Sequence, residues 1–495
     1  MKSYAALTQR FARMAALEEA TGLLHWDMSA MMPPGGAGAR AEQLAALRRV
    51  RHDLIADPAL AELLDEAETE AGLDSWQRAN LVEMRRNWNH ETALDGALVE
   101  ALSKACSASE MVWREARPRS DYQAVRPHLA EVLRLVREAA SAKSARLGCS
   151  PYDALLDEYE PGGRAARIDP VFDAYAAFLP DFLEAVLSRQ GARGPALALD
   201  GPFPLATQRT LAASFMAALG FDFAHGRLDE SLHPFCGGVP EDVRITTRYD
   251  EANFSRGLMG VLHETGHALY ERGLPTAWRR QPVGRARGMS MHESQSLLVE
   301  MQVCRSRAFF TFAAPRIRAA FGREGPAWSA ENLHRHYSRV ERGFIRVDAD
   351  EVTYPAHVIL RYRLERALIA GELLLGDLPG AWADGLKALL GVVPPDDRRG
   401  CLQDIHWYDG AWGYFPTYTL GAMTAAQVFA AARKSLDGLD GQIASGEFAP
   451  LIAWLGREVH GRASVLDTEA LLVAATGKPL DPELFQRHLA NRYLS

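Results

Sequence analysis

Apolar residues recur at three- and four-residue steps along much of the chain, and this spacing constrains the fold more than any other feature. Such steps place side chains on one face of an α-helix. Helix-capping residues are also present, with Asp74-Ser75 before the first clear stripe and Gly148 after the second. Because residues 1–230 and 415–495 largely show this pattern, we predict a mainly α-helical protein. The two stripes consist of Leu81, Met84 and Trp88, and of Leu129, Val132, Leu133 and Val136.

The composition is that of a globular protein. Of 495 residues, 48% are apolar and 24% are charged, which is unlike disordered, collagen-like or coiled-coil chains. The length allows about three domains or one large domain, and we predict a single large helical domain over residues 1–495. The formal net charge of −8 provides no overall positive field for a phosphate backbone, so we predict no nucleic-acid partner.

Cysteine usage and the distribution of apolar residues bear on the location of the protein. The five cysteines form no C-x-x-C pair, which is typical of free thiols in a reducing compartment. The first residues carry charges at amphipathic spacing instead of the apolar run of an export signal. No segment reaches the roughly 18 consecutive apolar residues of a membrane helix. We therefore predict a cytoplasmic protein without a membrane partner.

One segment departs from the helical pattern. Between Asp242 and Tyr249, Val243, Ile245 and Thr247 alternate with polar residues, and β-branched side chains are concentrated. We predict a small sheet in this region. The strand could pair through a free edge with an extended peptide, or it could be an ordinary edge strand.

A metal-binding pattern follows this strand. His263, Glu264 and His267 form H-E-x-x-H, and on a helix the two histidines lie one turn apart on the same face, where both can bind one Zn²⁺. Glu264 lies about 100° round the helix, so it can reach a water on the metal without being a ligand. The pattern predicts a water-activating hydrolase. The alternative is a non-catalytic helical binding or scaffold protein whose histidines are structural.

A catalytic zinc site also needs a third protein ligand and an open position. Glu271 continues the face of the histidines, but it lies about 12 Å from His263 along the helix axis, too far for both to bind one ion. The third ligand must therefore come from another segment. The next helical stretch offers His292, Glu293 and Glu300, and spacing does not choose among them.

Six motifs follow one another between residues 233 and 407. They are H-P-F at 233–235, D-x-R-x-T at 242–246, H-E-x-x-H at 263–267, H-E-S-Q at 292–295, I-R-x-x-A-D at 345–350 and G-x-x-Q-D-x-H-W at 400–407. Together they resemble the M32 family of zinc metallocarboxypeptidases, in which the Glu of H-E-[SG]-Q completes the metal site. By this resemblance Glu293 is the third ligand. A stretch from Trp26 to Arg40 resembles the family loosely, with Met28 where a Gln is common.

The resemblance also implies a fold and an assembly. We expect a two-lobed helical architecture of the neurolysin-like, gluzincin type with a deep cleft. A small antiparallel β-sheet is expected beside the H-E-x-x-H helix. The family commonly forms homodimers, so the resemblance implies a homodimer.

Further residues are candidates for the chemistry of peptide hydrolysis. Zinc brings the pKa of a bound water towards about 7, and Glu264 can take its proton as the water attacks a carbonyl. The resulting oxyanion needs donors in addition to the zinc. Related peptidases, including angiotensin-converting and neurolysin-like enzymes, use a His followed by a Tyr, which implies His406 and Tyr418 here. Tyr414 is a weaker candidate and could contact the substrate. Alternatively, the tyrosines belong to an aromatic core with Trp407, Trp412 and Phe415.

A carboxypeptidase must also recognise the terminal carboxylate of its substrate. A buried Arg suits this role because its planar fork matches carboxylate geometry. Arg346 in I-R-x-x-A-D is the first candidate and Arg244 in D-x-R-x-T the second. The alternative for each is a structural ion pair, with Asp350 and Asp242 as partners. Three other polar residues could contact and orient the site residues, or each could equally bridge helices: His292, Gln403 and Asp404.

These features predict a zinc-dependent carboxypeptidase that hydrolyses the C-terminal peptide bond of peptides with a free C-terminus. Co²⁺ could substitute for Zn²⁺ in a His/His/Glu site. A second hypothesis keeps the zinc chemistry in an oligopeptidase or a dipeptidyl carboxypeptidase of similar fold. A third is the non-catalytic helical scaffold.

Overall fold

The computed structural model describes residues 2–231 and 234–495, and most of them are helical. The first nine helices precede a small sheet. They are α1 (Lys2–Ala30), α2 (Ala37–Ile55), α3 (Pro58–Glu68), α4 (Ser75–Thr92), α5 (Gly96–Arg119), α6 (Tyr122–Leu147), α7 (Pro151–Tyr159), α8 (Ala165–Arg193) and α9 (Leu205–Ala218).

The sheet and the remaining helices form the second part of the chain. The strands are β1 (Gly226–Glu230), β2 (Phe235–Val239) and β3 (Asp242–Thr247). The helices that follow are α10 (Phe254–Gly273), α11 (Met289–Leu297), α12 (Arg307–Phe321), α13 (Ala330–Tyr337), α14 (Tyr354–Ala370), α15 (Leu378–Leu390), α16 (Pro416–Ser435), α17 (Leu439–Ser445), α18 (Ala449–Glu458), α19 (Thr468–Thr476) and α20 (Pro482–Tyr493). A π-helical segment, Leu298–Cys304, continues α11.

The predicted helical stripes and caps are confirmed. All four apolar residues of the second stripe are buried in α6, and Leu81 and Met84 of the first are buried in α4. Asp74 caps α4 in a capping box with Gln77. Gly148 ends α6 with φ 64°, a left-handed conformation that glycine adopts without strain. The prediction of a mainly α-helical protein is therefore confirmed.

The sheet is mixed, so the expectation of an antiparallel sheet is wrong for one of its two strand pairs. The strand order is β1-β3-β2, with β2 antiparallel and β1 parallel to β3. The predicted strand therefore lies in the centre of the sheet. Both of its edges are hydrogen-bonded to neighbours, so it cannot pair with a peptide as proposed from the sequence. β1 and β2 form the outer edges of this sheet.

The sheet packs against α10 through the buried face of its central strand. Val243 and Ile245 belong to the same apolar core as Val261 and Leu262 of α10. Thr247 Oγ1 also donates to the Gly257 carbonyl at 3.4 Å. The sheet thus lies beside the helix that carries H-E-x-x-H.

Two large buried clusters flank α16. One contains residues of α10, α12 and the π-helical segment, and the other contains residues of α6, α8, α14 and α15. α16 contributes Val428 to the first cluster and Met423 to the second. Since α16 also packs extensively on α11, it joins the two cores at the level of α11. Among the described residues, no helix combines the length and apolar character needed to cross a lipid bilayer.

Candidate metal centre

α10 places two histidines on one face. Asn253 caps the helix by accepting from the Ser255 backbone N–H, and the helix then continues through His263 and His267. The ring centroids of these histidines lie 5.0 Å apart. Their Nε2 atoms point towards the same carboxylate, that of Glu293 on α11.

Two close helix crossings bring Glu293 to this position. A Cβ on Gly266 would lie 2.5 Å from the Gln295 carbonyl oxygen, so the absence of a side chain lets α10 approach α11. On the other side of α11, a Cβ on Gly421 of α16 would lie 2.8 Å from the Cβ of Glu293. Because neither contact leaves room for a methyl group, glycines on both sides determine where Glu293 lies.

The spacing of the three candidate ligands suits a metal ion. Oε2 of Glu293 lies 3.7 Å from His263 Nε2 and 3.4 Å from His267 Nε2. All three ligand atoms lie within 4.8 Å of one another. A tetrahedral ion with ligands at about 2.1 Å separates them by about 3.4 Å. The group can therefore hold a single small cation.

Glu300 lies behind the first histidine. Its Oε2 is 2.9 Å from His263 Nδ1, and its Oε1 is 2.5 Å from Arg305 Nη2. It occupies the π-helical segment, a conformation often found at functional sites. When the ring is neutral and this carboxylate accepts the Nδ1 proton, His263 presents its Nε2 lone pair on the side of Glu293.

A chain of two hydrogen bonds begins at His267, on the side of the ring away from Glu293. His267 Nδ1 is 2.6 Å from His292 Nδ1, and His292 Nε2 is 2.8 Å from Glu271 Oε1. If His267 keeps Nε2 free on the side of Glu293, its Nδ1–H donates to His292. His292 then donates through Nε2–H to the Glu271 carboxylate. The predicted supporting role of His292 agrees with these contacts.

The group carries a surplus of negative charge. Burial lowers the pKa of His263, but the carboxylates of Glu293 and Glu300 outweigh burial and raise it to about 10. Burial, with His292 nearby, lowers the pKa of His267 to about 4. A proton on His263 thus offsets the neighbouring carboxylates. A divalent cation would replace that proton, so the group fits a metal ion electrostatically.

Glu264 lies beside these ligands and is 8% exposed. Within the described part of the chain, no hydrogen bond or ion pair engages its carboxylate. Burial raises its pKa to about 7, partly offset by the charge of His263. The carboxylate is therefore free to exchange a proton.

His406 and the two predicted tyrosines form a second cluster that faces Glu293. His406 Nε2 lies 3.2 Å from the Tyr418 hydroxyl, and the rings of Tyr414 and Tyr418 are 5.1 Å apart. Burial lowers the pKa of His406 to about 4 and raises the pKa of both phenols. The charge of Glu293 adds to the rise at both phenols. Near neutral pH these groups are uncharged hydrogen-bond donors.

Arg346 pairs with Asp404, so the suggested pairing with Asp350 is wrong. Its Nε and Nη2 donate to Asp404 Oδ1 at 3.0 and 2.8 Å, and its Nη1 donates to the Tyr354 hydroxyl at 2.9 Å. Asp350 instead accepts from backbone N–H groups of its own turn, including those of Val352 and Thr353. Asp350 therefore stabilises the turn before α14, and Asp404 is the carboxylate that pairs with Arg346.

Asp404 is shared between two arginines. Arg361 Nη2 lies 2.5 Å from Asp404 Oδ2, and Arg361 is fully buried. The Cζ atom of Arg346 lies 4.9 Å from the Tyr418 ring centroid. One carboxylate between two guanidinium groups leaves a surplus positive charge beside Tyr418.

A cavity of about 150 Å³ adjoins the three candidate metal ligands, His263, His267 and Glu293, which we call the ligand group. Polar side chains of His263, Glu293, Glu300 and Tyr354 line it together with apolar side chains, among them Leu297, Met301, Val347 and Pro355. The ligand group therefore borders a space open to a small molecule.

Comparison with known proteins identifies the family. The family model of the Carboxypeptidase Taq (M32) metallopeptidases matches residues 6–493. The chain belongs to the M32 family. The thermostable carboxypeptidase 1 of Thermus thermophilus is 40% identical over 490 residues, which cover 97% of this chain and 96% of that protein.

Solved M32 structures have the same fold. Trypanosoma cruzi metallocarboxypeptidase 1 matches with a TM-score of 0.98 and 42% identity, over 100% of both chains. The M32 carboxypeptidase of Deinococcus radiodurans R1 matches with a TM-score of 0.94 and 34% identity, over 100% of this chain and 99% of the other. The protein is therefore a peptidase of a carboxypeptidase family, acts on peptides and requires a divalent metal.

Arg244 of the D-x-R-x-T motif bonds to its own strand. Its Nε and Nη2 donate to Asp242 at 3.0 and 2.6 Å, and its Cζ lies 4.3 Å from the Trp26 ring centroid. Arg227 approaches the same indole to 5.1 Å. These contacts agree with the alternative of a structural ion pair. They also connect the N-terminal Trp26 stretch to the sheet. His233 of the H-P-F motif lies outside the described residues.

Several residues of the site were not recognised from the sequence. Glu271 was rejected as a ligand, and its contact with His292 through a second helix was not foreseen. Arg361 and Tyr354, which flank Arg346 and Asp404, lie in a helix that carries no motif of its own. Tyr354 meets Arg346 at the start of α14, and the tertiary packing of α14 against residues 400–407 brings Arg361 to Asp404.

Proposed function

We propose that this M32 protein is a zinc-dependent carboxypeptidase that removes the C-terminal residue of peptides, with Glu264 as the general base. The observation that carries the proposal is the spacing of His263, His267 and Glu293 beside the unpaired Glu264 carboxylate. The two distances from Glu293, 3.4 and 3.7 Å, are near the edge length of a tetrahedral zinc site. Two imidazoles and one carboxylate suit Zn²⁺, and Co²⁺ as a substitute.

Glu264 and the aromatic cluster would share the proton transfers. A divalent ion in the ligand group supplies a Lewis-acidic centre that lowers the pKa of water to about 7. Glu264 accepts the proton from the attacking water and later delivers it to the leaving amine. Tyr418 and the neutral His406 donate hydrogen bonds to the oxygen that becomes negative. The low pKa of His406 and the high pKa of Tyr418 support these donor roles.

Arg346 would recognise the end of the substrate. Asp404 neutralises only one of its two arginine neighbours, and the fully buried Arg361 cannot reach a substrate. The two arginines share the surplus charge, and Arg346 is the one that lies next to Tyr418 and donates to Tyr354. A terminal carboxylate would balance this charge, whereas an internal peptide bond or an amidated end would not. Arg244 stays a weaker prediction because Asp242 already pairs with it.

The expected shape and assembly belong to the same proposal. The two buried clusters on either side of α16 support two lobes with the ligand group between them, as in a neurolysin-like peptidase. Both lobes would belong to the single domain predicted for residues 1–495. The homodimer and the cytoplasmic location stay predictions from the sequence.

A paired substrate series tests the reaction. The purified protein with Zn²⁺ is incubated with N-blocked tripeptides that end in a free or an amidated C-terminus, and the products are identified by mass spectrometry. Release of a single residue from the free acid, and loss of cleavage on amidation, is expected. Release of dipeptides, or cleavage of the amide at an equal rate, would favour an oligopeptidase or a dipeptidyl carboxypeptidase.

The general base is tested by Glu264→Gln. This variant should keep its fold and one equivalent of zinc while losing most turnover, because Gln cannot accept the proton. Zinc content is measured by atomic emission and turnover with the free-acid tripeptide. Near-normal turnover would overturn the assignment of Glu264. A protein that neither binds zinc nor cleaves the tripeptide would support the scaffold hypothesis.

A further inference from the structure

A basic pocket lies away from the metal centre. It has a volume of about 420 Å³ and lies between the end of α8, helix α13 and helix α20. It shares no lining residue with the cavity beside the ligand group. Six of its lining residues are arginines, and none of its lining residues is acidic: Arg189, Arg193, Arg307, Arg335, Arg339 and Arg492. In a chain with a net charge of −8, this concentration of cations requires an explanation.

Three of these arginines already pair with carboxylates outside the pocket. Arg307 pairs with Glu331, Arg339 with Glu341 and Arg492 with Glu351. In each pair the carboxylate neutralises the charge of the arginine. These three arginines line the pocket without adding net positive charge to it.

Two of the other three arginines, Arg189 and Arg335, have no carboxylate partner among residues 2–231 and 234–495. Arg335 Nη2 donates to the backbone carbonyls of Gly194 and Pro195 at 2.6 and 3.1 Å. The third, Arg193, donates to the main-chain oxygen of Ser495 at 2.9 Å. The buried Nε of Arg189 has no hydrogen-bond partner. The half-buried Arg189 and Arg335 therefore keep positive charge around one space, and this charge attracts an anion.

His334 provides independent support. It is 5% exposed, lines the pocket, and its buried Nδ1 has no partner among the described residues. Burial lowers its pKa to about 4, and the charges of Arg307 and Arg492 lower it further. The imidazole is thus neutral and can donate one N–H. An unpaired buried polar atom calls for an explanation, and an ion bound at the site is one such explanation.

From the unbalanced arginines and the unpaired His334, we infer that this pocket binds a small multiply charged anion that carries phosphate groups. Guanidinium forks bind phosphate oxygens in pairs, and several forks around one space favour an anion with more than one charge. Arg189 and Arg335 supply the unpaired charge, the exposed Arg193 adds a further guanidinium, and His334 supplies a neutral donor. The site is separate from the peptide-hydrolysing centre, so the inference does not depend on the proposed function.

Calorimetric titration of the zinc-loaded protein tests the site. Pyrophosphate is the probe, with citrate and additional sodium chloride titrated at the same ionic strength. We expect one pyrophosphate per chain, with tighter binding than citrate. Arg189→Gln should weaken pyrophosphate binding at least tenfold, and the exposed Arg193→Gln should weaken it several-fold. Arg167→Gln is the matched control, because Arg167 lies on the same helix in an exposed pair with Glu469.

Each outcome bears on the inference. Loss of binding in Arg189→Gln, with normal binding in Arg167→Gln and an unchanged melting temperature in both, supports the pocket. Pyrophosphate binding that persists in Arg189→Gln arises elsewhere, for instance at the zinc, and overturns the inference. Binding no tighter than that of chloride also overturns it. Citrate that binds as tightly as pyrophosphate, through the same arginines, overturns the assignment to phosphate.

Discussion

The Glu300 carboxylate lies 2.9 Å from Nδ1 of His263, on the opposite side of the ring from Glu293. The histidine is therefore held between two carboxylates, one at each ring nitrogen. Arg305 in turn holds Glu300 at 2.5 Å. This arrangement sets both the orientation of the ring and the nitrogen that carries its proton.

Glu300→Gln should weaken zinc binding by about 10- to 100-fold, as is typical when a residue that orients a metal ligand is changed. The amide can still accept a hydrogen bond, but it removes the charge that strengthens His263 as a ligand. The dissociation constant is measured by competition with a chelator at pH 7. Glu483→Gln is the control, because Glu483 lies in an exposed pair on α20. Equal zinc affinity in both variants would show that Glu300 does not act on the metal group.

Gly421→Ala should displace Glu293. Its new Cβ would lie 2.8 Å from the Cβ and Cγ of Glu293, so α11 or the carboxylate must move. We expect at least tenfold weaker zinc binding and a loss of about 1–3 kcal/mol in the free energy of unfolding, as in other overpacked cores. Zinc competition and denaturant unfolding measure the two effects.

The control for this variant is Gly456→Ala in α18, where nothing lies within 4 Å of a new Cβ. It should stabilise the protein by about 0.5–1 kcal/mol, since alanine favours the helix. Zinc affinity should not change. A Gly421→Ala protein with normal zinc affinity would mean that Glu293 is not held by this crossing.

Tyr418→Phe should lower kcat by about 10²- to 10³-fold with little change in KM, because it removes one donor to the developing oxyanion. The comparison is Tyr408→Phe, whose buried hydroxyl donates to the Cys401 carbonyl at 3.0 Å. That variant should lose about 1 kcal/mol of stability and keep its kcat. Steady-state kinetics with a free-acid tripeptide separate the two. If both variants lose kcat equally, Tyr418 has only a structural role.

Glu365 makes stability depend on pH. It is fully buried and accepts from the Tyr152 hydroxyl, the Trp407 indole N–H and the Gly413 backbone N–H. Burial raises its pKa to about 7, above the ordinary value of 4.5 for a glutamate. The folded state therefore binds a proton more tightly than the unfolded state, so its contribution to stability is full below pH 4.5 and is lost as pH rises towards 7.

Glu365→Gln isolates this contribution because it does not titrate. The stability of the variant relative to the original protein should rise by about 3 kcal/mol between pH 4.5 and pH 8, at about 1.4 kcal/mol for each pKa unit. Denaturant midpoints of both proteins across this range measure the difference. A difference that does not change with pH contradicts the raised pKa.

Local patterns predicted those parts of the fold and site that depend on neighbours in the sequence. The α6 stripe from Leu129 to Val136 and the Gly148 cap follow from helix geometry alone. The shared face of His263 and His267 follows from the same geometry. The choice of Glu293 among His292, Glu293 and Glu300 rests on the family resemblance, because it depends on how α11 packs between α10 and α16.

Features that depend on distant contacts were missed. Arg346 and Asp404 are 58 residues apart, and no spacing rule connects them. The central position of β3 was missed because its partners have weak patterns. β1 reads Gly-Arg-Leu-Asp-Glu, within a stretch interpreted as helical, and β2 contains two glycines. The parallel pair follows from sheet order, which a single strand does not reveal.

Gly266 lies at one of the two x positions of H-E-x-x-H, where any residue type satisfies the motif. Packing against α11 nevertheless restricts this position to a residue without a side chain. Any larger residue there would meet the backbone of α11 and part the two helices. Such a substitution would keep His263, Glu264 and His267 and still move the two histidines away from the Glu293 carboxylate. In this protein the H-E-x-x-H motif thus depends on a second helix. The residue at position 266 determines how closely α10 can approach α11.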